Sequence, residues 1–217
     1  MDSSSFRRHS LLDHALVHID QALNNMFCKQ SSSREYPADS AVDPDTASTS
    51  ERRQAAGLMR VNHAGEMAAQ ALYQGQSLTA RDPTLRQKLH QASIEEADHL
   101  NWCRRRLDEL DASPSRLDPL WYMGSLMIGI TAGVAGDRWN LGFLAETEHQ
   151  VVRHLEGHLE RLPAHDQRSR HIVTQMREDE LGHATLAEDL GAAELPAPVR
   201  GMMRLTAKVM TTLAERI

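Results

Sequence analysis

One spacing occurs twice in this chain and limits what it can fold into. Glu66 is followed 30 residues later by Glu96-Ala97-Asp98-His99, and Glu148 is followed 32 residues later by Glu180-Leu181-Gly182-His183. Residues three apart on an α-helix share a face, so each Glu-x-x-His aims a carboxylate and an imidazole at one point. Glu66 and Glu148 then sit on two further helices. Four helices that each project a carboxylate inward, two of them with an added histidine, form the donor set of a di-iron or di-manganese site in a ferritin-like bundle. A single Glu-x-x-His turns up by chance in any charged helix. Two copies, each preceded by a Glu at similar distance, point to a carboxylate-bridged di-metal enzyme.

Apolar periodicity supplies the four helices, and the fold class read from it is all-α. The first is expected over 51–79 with Ala56, Met59, His63, Glu66, Gln70 and Tyr73 facing inward, the least regular of the stripes. The second is expected over 83–110, after an N-cap and first-turn pair, Asp82-Pro83. Its stripe runs Leu85, Leu89, Ala92, Glu96, His99, Leu100, Cys103, Leu107. The third, over 137–162, carries Leu141, Leu144, Ala145, Glu148, Val151, Val152, Leu155 and Leu159, and Pro163 ends it. The fourth, over 166–190, carries Ile172, Val173, Met176, Glu180, His183, Ala184 and Ala187, with Gly191 as a C-cap.

Glu66, Glu96, His99, Glu148, Glu180 and His183 therefore interrupt apolar stripes. Burying an unpaired carboxylate costs several kcal/mol, so four in one core need compensation. No stripe of Lys or Arg faces them. Two divalent cations would balance four carboxylates, and the two imidazoles would complete the inner shells. Oxygen-rich ligation with one histidine per metal and no thiolate suits iron or manganese better than structural zinc. A ligand histidine hands its second ring nitrogen to an acceptor. Glu95 and Asp179, each four residues before a ligand histidine, could serve, although a solvated carboxylate is the commoner outcome. His63, one turn before Glu66, reads as a hydrogen-bonded core histidine ahead of a residue supporting the metals.

A chain of 217 residues with net charge −6 allows one domain with a sizeable core and does not suggest nucleic-acid binding. Cys28 and Cys103 form no Cys-x-x-Cys, which fits a reducing, cytoplasmic compartment. The N-terminus lacks the apolar core of a secretory signal. Residues 1–29 are expected to hold an amphipathic helix, with Leu12, Leu16, Ile19, Leu23 and Met26 at helical spacing. Residues 30–50, rich in Ser, Asp, Thr and Ala, are expected to be a flexible linker, and 51–217 the metal-binding domain. Residues 119–136 carry no charge. Their length is at the lower edge of the roughly 17–25 residues a membrane span needs. Four glycines weaken the stretch further, which favours a buried or interfacial helix. The tail over 196–217 interleaves Met203, Val209, Met210, Leu213 and Ile217 with Arg200, Arg204, Lys208 and Arg216. Such a helix suits a membrane surface, or packs on the bundle with a solvated basic face.

Several strings resemble one family. Arg60-Val61-Asn62-His63-Ala64-Gly65-Glu66, the Glu96-x-Asp98-His99-Leu100 run, Thr147-Glu148 and Glu180-x-x-His183 are similar to those of the demethoxyubiquinone hydroxylases, or 2-polyprenyl-3-methyl-6-methoxy-1,4-benzoquinone monooxygenases. The similarity covers roughly 51–217, and the ligand spacings agree. Both Glu146 and Glu148 are available in the third helix; the apolar stripe and the family spacing select Glu148. The resemblance implies a ferritin-like di-iron monooxygenase of ubiquinone biosynthesis that hydroxylates 2-polyprenyl-3-methyl-6-methoxy-1,4-benzoquinol. It implies two iron ions, dioxygen as co-substrate, and NADH or a partner reductase as reductant. In that family a histidine six residues after the third-helix Glu is linked to electron transfer from reduced nicotinamide. His154 holds that place, well round the helix from Glu148. A polyprenyl substrate lives in the bilayer, so the resemblance also implies peripheral binding to the cytoplasmic side of the inner membrane through 119–136 and the basic tail. A second copy of the chain, or other ubiquinone-biosynthesis proteins, would be further partners. The first rival is a ferroxidase or peroxide-scavenging protein, which uses the same ligands and needs no lipid access. A di-manganese catalase and a non-enzymatic bundle are weaker rivals; the latter leaves six ligand-type residues without a purpose.

Overall fold

Capping chemistry sets where the helices start and stop. The structure, a computed structural model, describes residues 32–41 and 48–217. Ser48 begins α1 (Thr49–Thr79) with a capping box: its hydroxyl accepts from the Glu51 amide, and the Glu51 carboxylate accepts from the Ser48 amide. Asp82 accepts from the Thr84 amide ahead of α2 (Pro83–Glu109), whose first residue has no amide proton to satisfy. Next come α3 (Asp118–Val134) and α4 (Asp137–Arg161). Asp166 accepts from the Ser169 amide at the head of α5 (Gln167–Asp189), and Gly191, at φ 92°, follows its end. The last helix is α6 (Ala197–Ala214). Among the described residues all regular structure is helical, as the periodicity predicts. The helix expected near the N-terminus lies outside the described residues.

Two apolar clusters hold α1, α2, α4 and α5 together as a bundle. One joins Leu58 and Met59 to Trp102, Cys103 and Leu107, to Leu155, and to Ile172, Val173 and Met176. The other joins Tyr73 to Leu85 and Leu89, to Leu141, Leu144 and Ala145, and to Ala187. Each large buried side chain contributes about 1.5–3 kcal/mol. The order in which each helix meets the clusters fixes its direction. α1 and α5 run one way, and α2 and α4 the other. Two antiparallel hairpins, α1–α2 and α4–α5, are thus joined by a long crossover that contains α3.

α1 is buried on most sides, because α2, α3 and α6 all pack on it. Its stripe is irregular for that reason: a helix with several neighbours has no single inward face. α3 crosses α1 at backbone contact. A Cβ at Gly129 would collide with the Leu72 carbonyl, and one at Gly75 with the Leu126 carbonyl. The outer side of α3 leaves Leu120, Met123, Met127, Ile128 and Val134 exposed. The uncharged stretch is therefore a half-buried helix, and among the described residues no helix is long and apolar enough to cross a membrane. α6 rests on α1 and α4. It buries Ala214 beside Val61 and Ala64, and leaves Met202, Leu205, Val209 and Leu213 exposed.

Residues 32–41 fall within the expected linker and lie against the bundle. Tyr36 and Ala38 join the first apolar cluster, and the Arg105 guanidinium stacks 3.9 Å from the Tyr36 ring centre. A polar average conceals one aromatic anchor. Arg106 is a buried cation near this end, but it is held by Asp166 at 2.9 Å and by Ser169, not by the four carboxylates of the stripes.

Candidate metal centre

The six residues that interrupt the stripes meet in the layer between the two clusters. Glu96 and His99 lie between Leu89 and Cys103 along α2, and Glu180 and His183 lie between Met176 and Ala187 along α5. Glu66, Glu96, His99, Glu148 and Glu180 are buried, and His183 is partly so. Donor atoms of Glu66, Glu96, His99 and Glu180 lie within 4.8 Å of one another, as do those of Glu96, Glu148, Glu180 and His183. Glu96 and Glu180 belong to both sets. Two ions held here would share them, with Glu66 and His99 completing one donor set and Glu148 and His183 the other. Each shared carboxylate turns one oxygen to each imidazole. His99 Nδ1 is 3.3 Å from Glu96 Oε2 and 3.2 Å from Glu180 Oε1. His183 Nδ1 is 3.5 Å from Glu96 Oε1 and 3.1 Å from Glu180 Oε2.

Electrostatics in this layer are severe. Burial pushes the Glu66 and Glu148 carboxyls well above the usual range, and nearby carboxylates, Glu180 among them, add to it. Burial pushes Glu180 the same way, but its contacts with His183 and His99 outweigh burial and hold it low. Burial opposes charge on the imidazoles too. Asp179 and Glu180 nevertheless raise His99 well above its ordinary value, and Glu180 and Glu96 raise His183 to about 11.

The far ring nitrogens are held crosswise. His99 Nε2 lies 2.9 Å from Asp179 Oδ2, and His183 Nε2 lies 2.7 Å from Glu95 Oε2. The two acidic residues noted in the sequence do act as acceptors, each for the histidine of the opposite helix. A ring that enters the centre from α2 points its far nitrogen at α5, beyond reach of its own helix. His63 stands apart: its Nδ1 is 3.1 Å from Asp118 Oδ2 at the head of α3. Glu146 pairs with Gln150 and Arg153 instead of facing the centre. His154 is not with the six either. Its ring packs tilted, at 58°, against that of His158, with ring centres 4.0 Å apart.

A profile of the family described as Ubiquinone biosynthesis protein COQ7 matches residues 53–214. The chain belongs to the COQ7 family. It is 54% identical over 207 residues to a 3-demethoxyubiquinol 3-hydroxylase of Chromobacterium violaceum, covering 95% of this chain and 100% of that one. A protein of the same name from Variovorax paradoxus is 56% identical over 208 residues, covering 96% and 99% of the two chains. The one from Bordetella avium is 52% identical over 217 residues and covers 100% of both. Among solved structures, a dodecameric thioferritin, the bacterioferritin-related protein from Bacteroides fragilis, matches with a TM-score of 0.56 at 15% identity. That match covers 72% of this chain and 90% of the other, and shows the ferritin-like fold.

Two side chains of this COQ7 protein that sequence reasoning passed over support the centre from outside. Arg34 lies 2.7 Å from Asp179, the acceptor of His99, and its guanidinium is 4.8 Å from the Trp102 ring centre. Asp98, buried beside Glu96 and His99 on α2, accepts from the Ser33 amide at 2.6 Å and from the hydroxyls of Ser32 and Ser33. Asp98 had a signal, a charged residue next to a ligand on a buried helix. Arg34 had none, since its partner is 145 residues away.

The donor set fits two divalent metal ions. Glu66 Oε2, Glu96 Oε1 and Glu148 Oε1 are buried with no hydrogen-bond partner among the described residues. Such an atom costs on the order of 1–3 kcal/mol, more when charged. Two dications would match four carboxylates in charge and could take up these oxygens.

Proposed function

We propose that this chain hydroxylates 2-polyprenyl-3-methyl-6-methoxy-1,4-benzoquinol in ubiquinone biosynthesis, the reaction class in the names of its full-length relatives. The observation that carries the reading is the pair of four-donor sets sharing Glu96 and Glu180. Two iron ions held there would supply dioxygen activation; the hydroxylation places one oxygen atom on the ring and releases the other as water, with NADH or a partner reductase providing two electrons. The remaining work belongs to the side chains. Glu66 with His99, and Glu148 with His183, would hold one ion each, and Glu96 and Glu180 would be shared by both. Asp179 and Glu95 fix the imidazole orientations. The apolar clusters above and below exclude water from the reacting layer.

The substrate class gives the exposed apolar side chains a use. A polyprenyl quinol resides in a bilayer, and Leu120, Met123 and Met127 of α3 and Met202, Leu205 and Val209 of α6 are exposed. These faces dock on the cytoplasmic side of the inner membrane as a peripheral contact. Likeness over full length to named hydroxylases favours this reading over a ferroxidase or peroxide scavenger.

The test is complementation of cells that accumulate the demethoxy quinone, using wild type, Glu148→Ala and Glu180→Ala. Ubiquinone should return with wild type alone. No ubiquinone from a well-expressed, iron-loaded wild type would move the assignment to a ferroxidase or peroxide scavenger. Ubiquinone from both variants would show that the ligands lie elsewhere. Flotation with quinone-loaded liposomes tests docking separately, and a wild type that stays in the soluble fraction would refute it.

A further inference from the structure

Away from the metal layer, a cavity of about 590 Å³ lies between α1, α4 and α6. Its wall is basic. Arg53, Arg161, Lys208 and Arg216 line it, with Glu215 as the one carboxylate among the described residues. Glu215 pairs with Arg161. Among the described residues no carboxylate lies within ion-pair distance of Arg53, Lys208 or Arg216.

His154 and His158, one turn apart on α4, line the same cavity. His158 is 2% exposed. Among the described residues neither of its ring nitrogens has a hydrogen-bond partner, and nor does Nε2 of His154. Burial holds His154 down to about 4 and His158 to about 2, and Arg161 adds to both. Both rings are therefore neutral near pH 7, and each keeps one N–H to donate. Buried polar atoms without partners are costly, and unpaired cations on a cavity wall stabilise negative charge. Four cations rule against a metal ion here. An anion with several acceptor oxygens matches both features at once.

We propose that this cavity binds a phosphate group, with Arg53, Lys208 and Arg216 supplying charge and His154 and His158 donating from behind. The helix that lines it indicates the source. Lys208, Thr211, Thr212 and Glu215 face the cavity from one side of α6, while Leu205, Val209 and Leu213 are exposed on the adjacent side. At about 100° per residue the two sides are roughly a third of a turn apart. A bilayer against the apolar side brings headgroup phosphates to the cavity mouth. The ligand is the phosphodiester of an anionic phospholipid; this choice of source rests on the membrane contact proposed above, whereas the phosphate site itself does not.

The test is calorimetric titration of the full, metal-loaded chain with inorganic phosphate at constant ionic strength, beside Arg53→Gln/Lys208→Gln and His158→Phe. The double variant changes only exposed side chains, and His158→Phe keeps the ring volume in case charge removal acts indirectly. Phosphate taken up by the metal centre would be common to all three, since His154 and His158 lie about 9–15 Å along α4 from Glu148. The double variant should bind phosphate about tenfold or more weakly, as expected for lost charge-assisted hydrogen bonds, and His158→Phe should also bind more weakly. Equal binding by wild type and both variants would overturn the proposal. Flotation with phosphatidylcholine vesicles, with and without phosphatidylglycerol, separates the sources. Phosphatidylglycerol-dependent binding that the double variant loses and inorganic phosphate competes away supports the headgroup. Lost phosphate binding with unchanged flotation supports the site but overturns the lipid source. A wild type that binds phosphate yet never floats refutes the membrane contact and leaves the phosphate site standing.

Discussion

Glu95 Oε2 lies 2.7 Å from Nε2 of His183, although Glu95 stands on α2 and His183 on α5. Asp179 of α5 reaches back to His99 of α2 at 2.9 Å. α2 and α5 thus each orient the imidazole of the other, so the α2–α5 separation and both ring orientations are set together. The two arms are unequal. Arg34 holds Asp179, and the His99 and Arg34 contacts outweigh burial to bring its carboxyl down to about 2. Glu95, beyond its contact with His183, is met by the neutral Gln91 at 3.1 Å, and among the described residues no ion pair to Lys or Arg holds it.

Loss of either arm should loosen one metal. Asp179→Asn and Glu95→Gln are each expected to lower metal affinity about 10–100-fold, read by competition with a chelator while circular dichroism stays unchanged. Arg34→Ala should do less, because a partly exposed ion pair contributes roughly 0–1 kcal/mol. Wild-type retention in Asp179→Asn would mean that packing alone orients His99.

The buried carboxylates predict an inversion of sign with metal. Without metal, Glu66 and Glu148 are pushed up by burial, so Glu66→Gln or Glu148→Gln should raise the melting temperature. With metal bound, the same changes remove a ligand and should lower it. For a chain of this size, about 1 kcal/mol moves the melting point by roughly 2–4 °C. Calorimetry with and without chelator checks both signs, and a fall in both states would show that partners other than metal hold these groups.

The α1–α3 crossing predicts two opposite glycine effects on one helix. An alanine side chain at Gly129 meets the Leu72 carbonyl, while one at Gly124 meets nothing within 4 Å. Gly129→Ala should cost about 1–3 kcal/mol. Gly124→Ala should be neutral or gain up to about 1 kcal/mol of helix propensity. Denaturant midpoints for the two decide, and equal midpoints would rule out the backbone contact.

His154 and His158 predict acid sensitivity. Their folded values, about 4 and about 2, lie below the ordinary histidine value of 6.5. The unfolded chain therefore binds more protons below that value, and stability present above it is lost as pH falls. Each ring costs about 1.4 kcal/mol per pH unit in this window. Between pH 7 and 5, in phosphate-free buffer, wild type should lose roughly 2 kcal/mol more than His158→Phe. Identical losses in urea denaturation would mean that His158 is solvated.

The sequence alone determined the four bundle helices and the six candidate ligands, because both rest on local geometry. Caps such as Ser48 with Glu51 act within one turn, and a helix face follows from residue separation along one element. Only the tertiary structure decided the rest. That Glu96 and Glu180 are shared between the two donor sets depends on the rotation and register of α2 against α5, which the apolar clusters set. The same register makes the acceptors cross from one helix to the other. The seating of residues 32–41, with Tyr36 in the core and Arg34 on Asp179, depends on contacts far apart in sequence. Periodicity describes one helix at a time and holds no information about such distances.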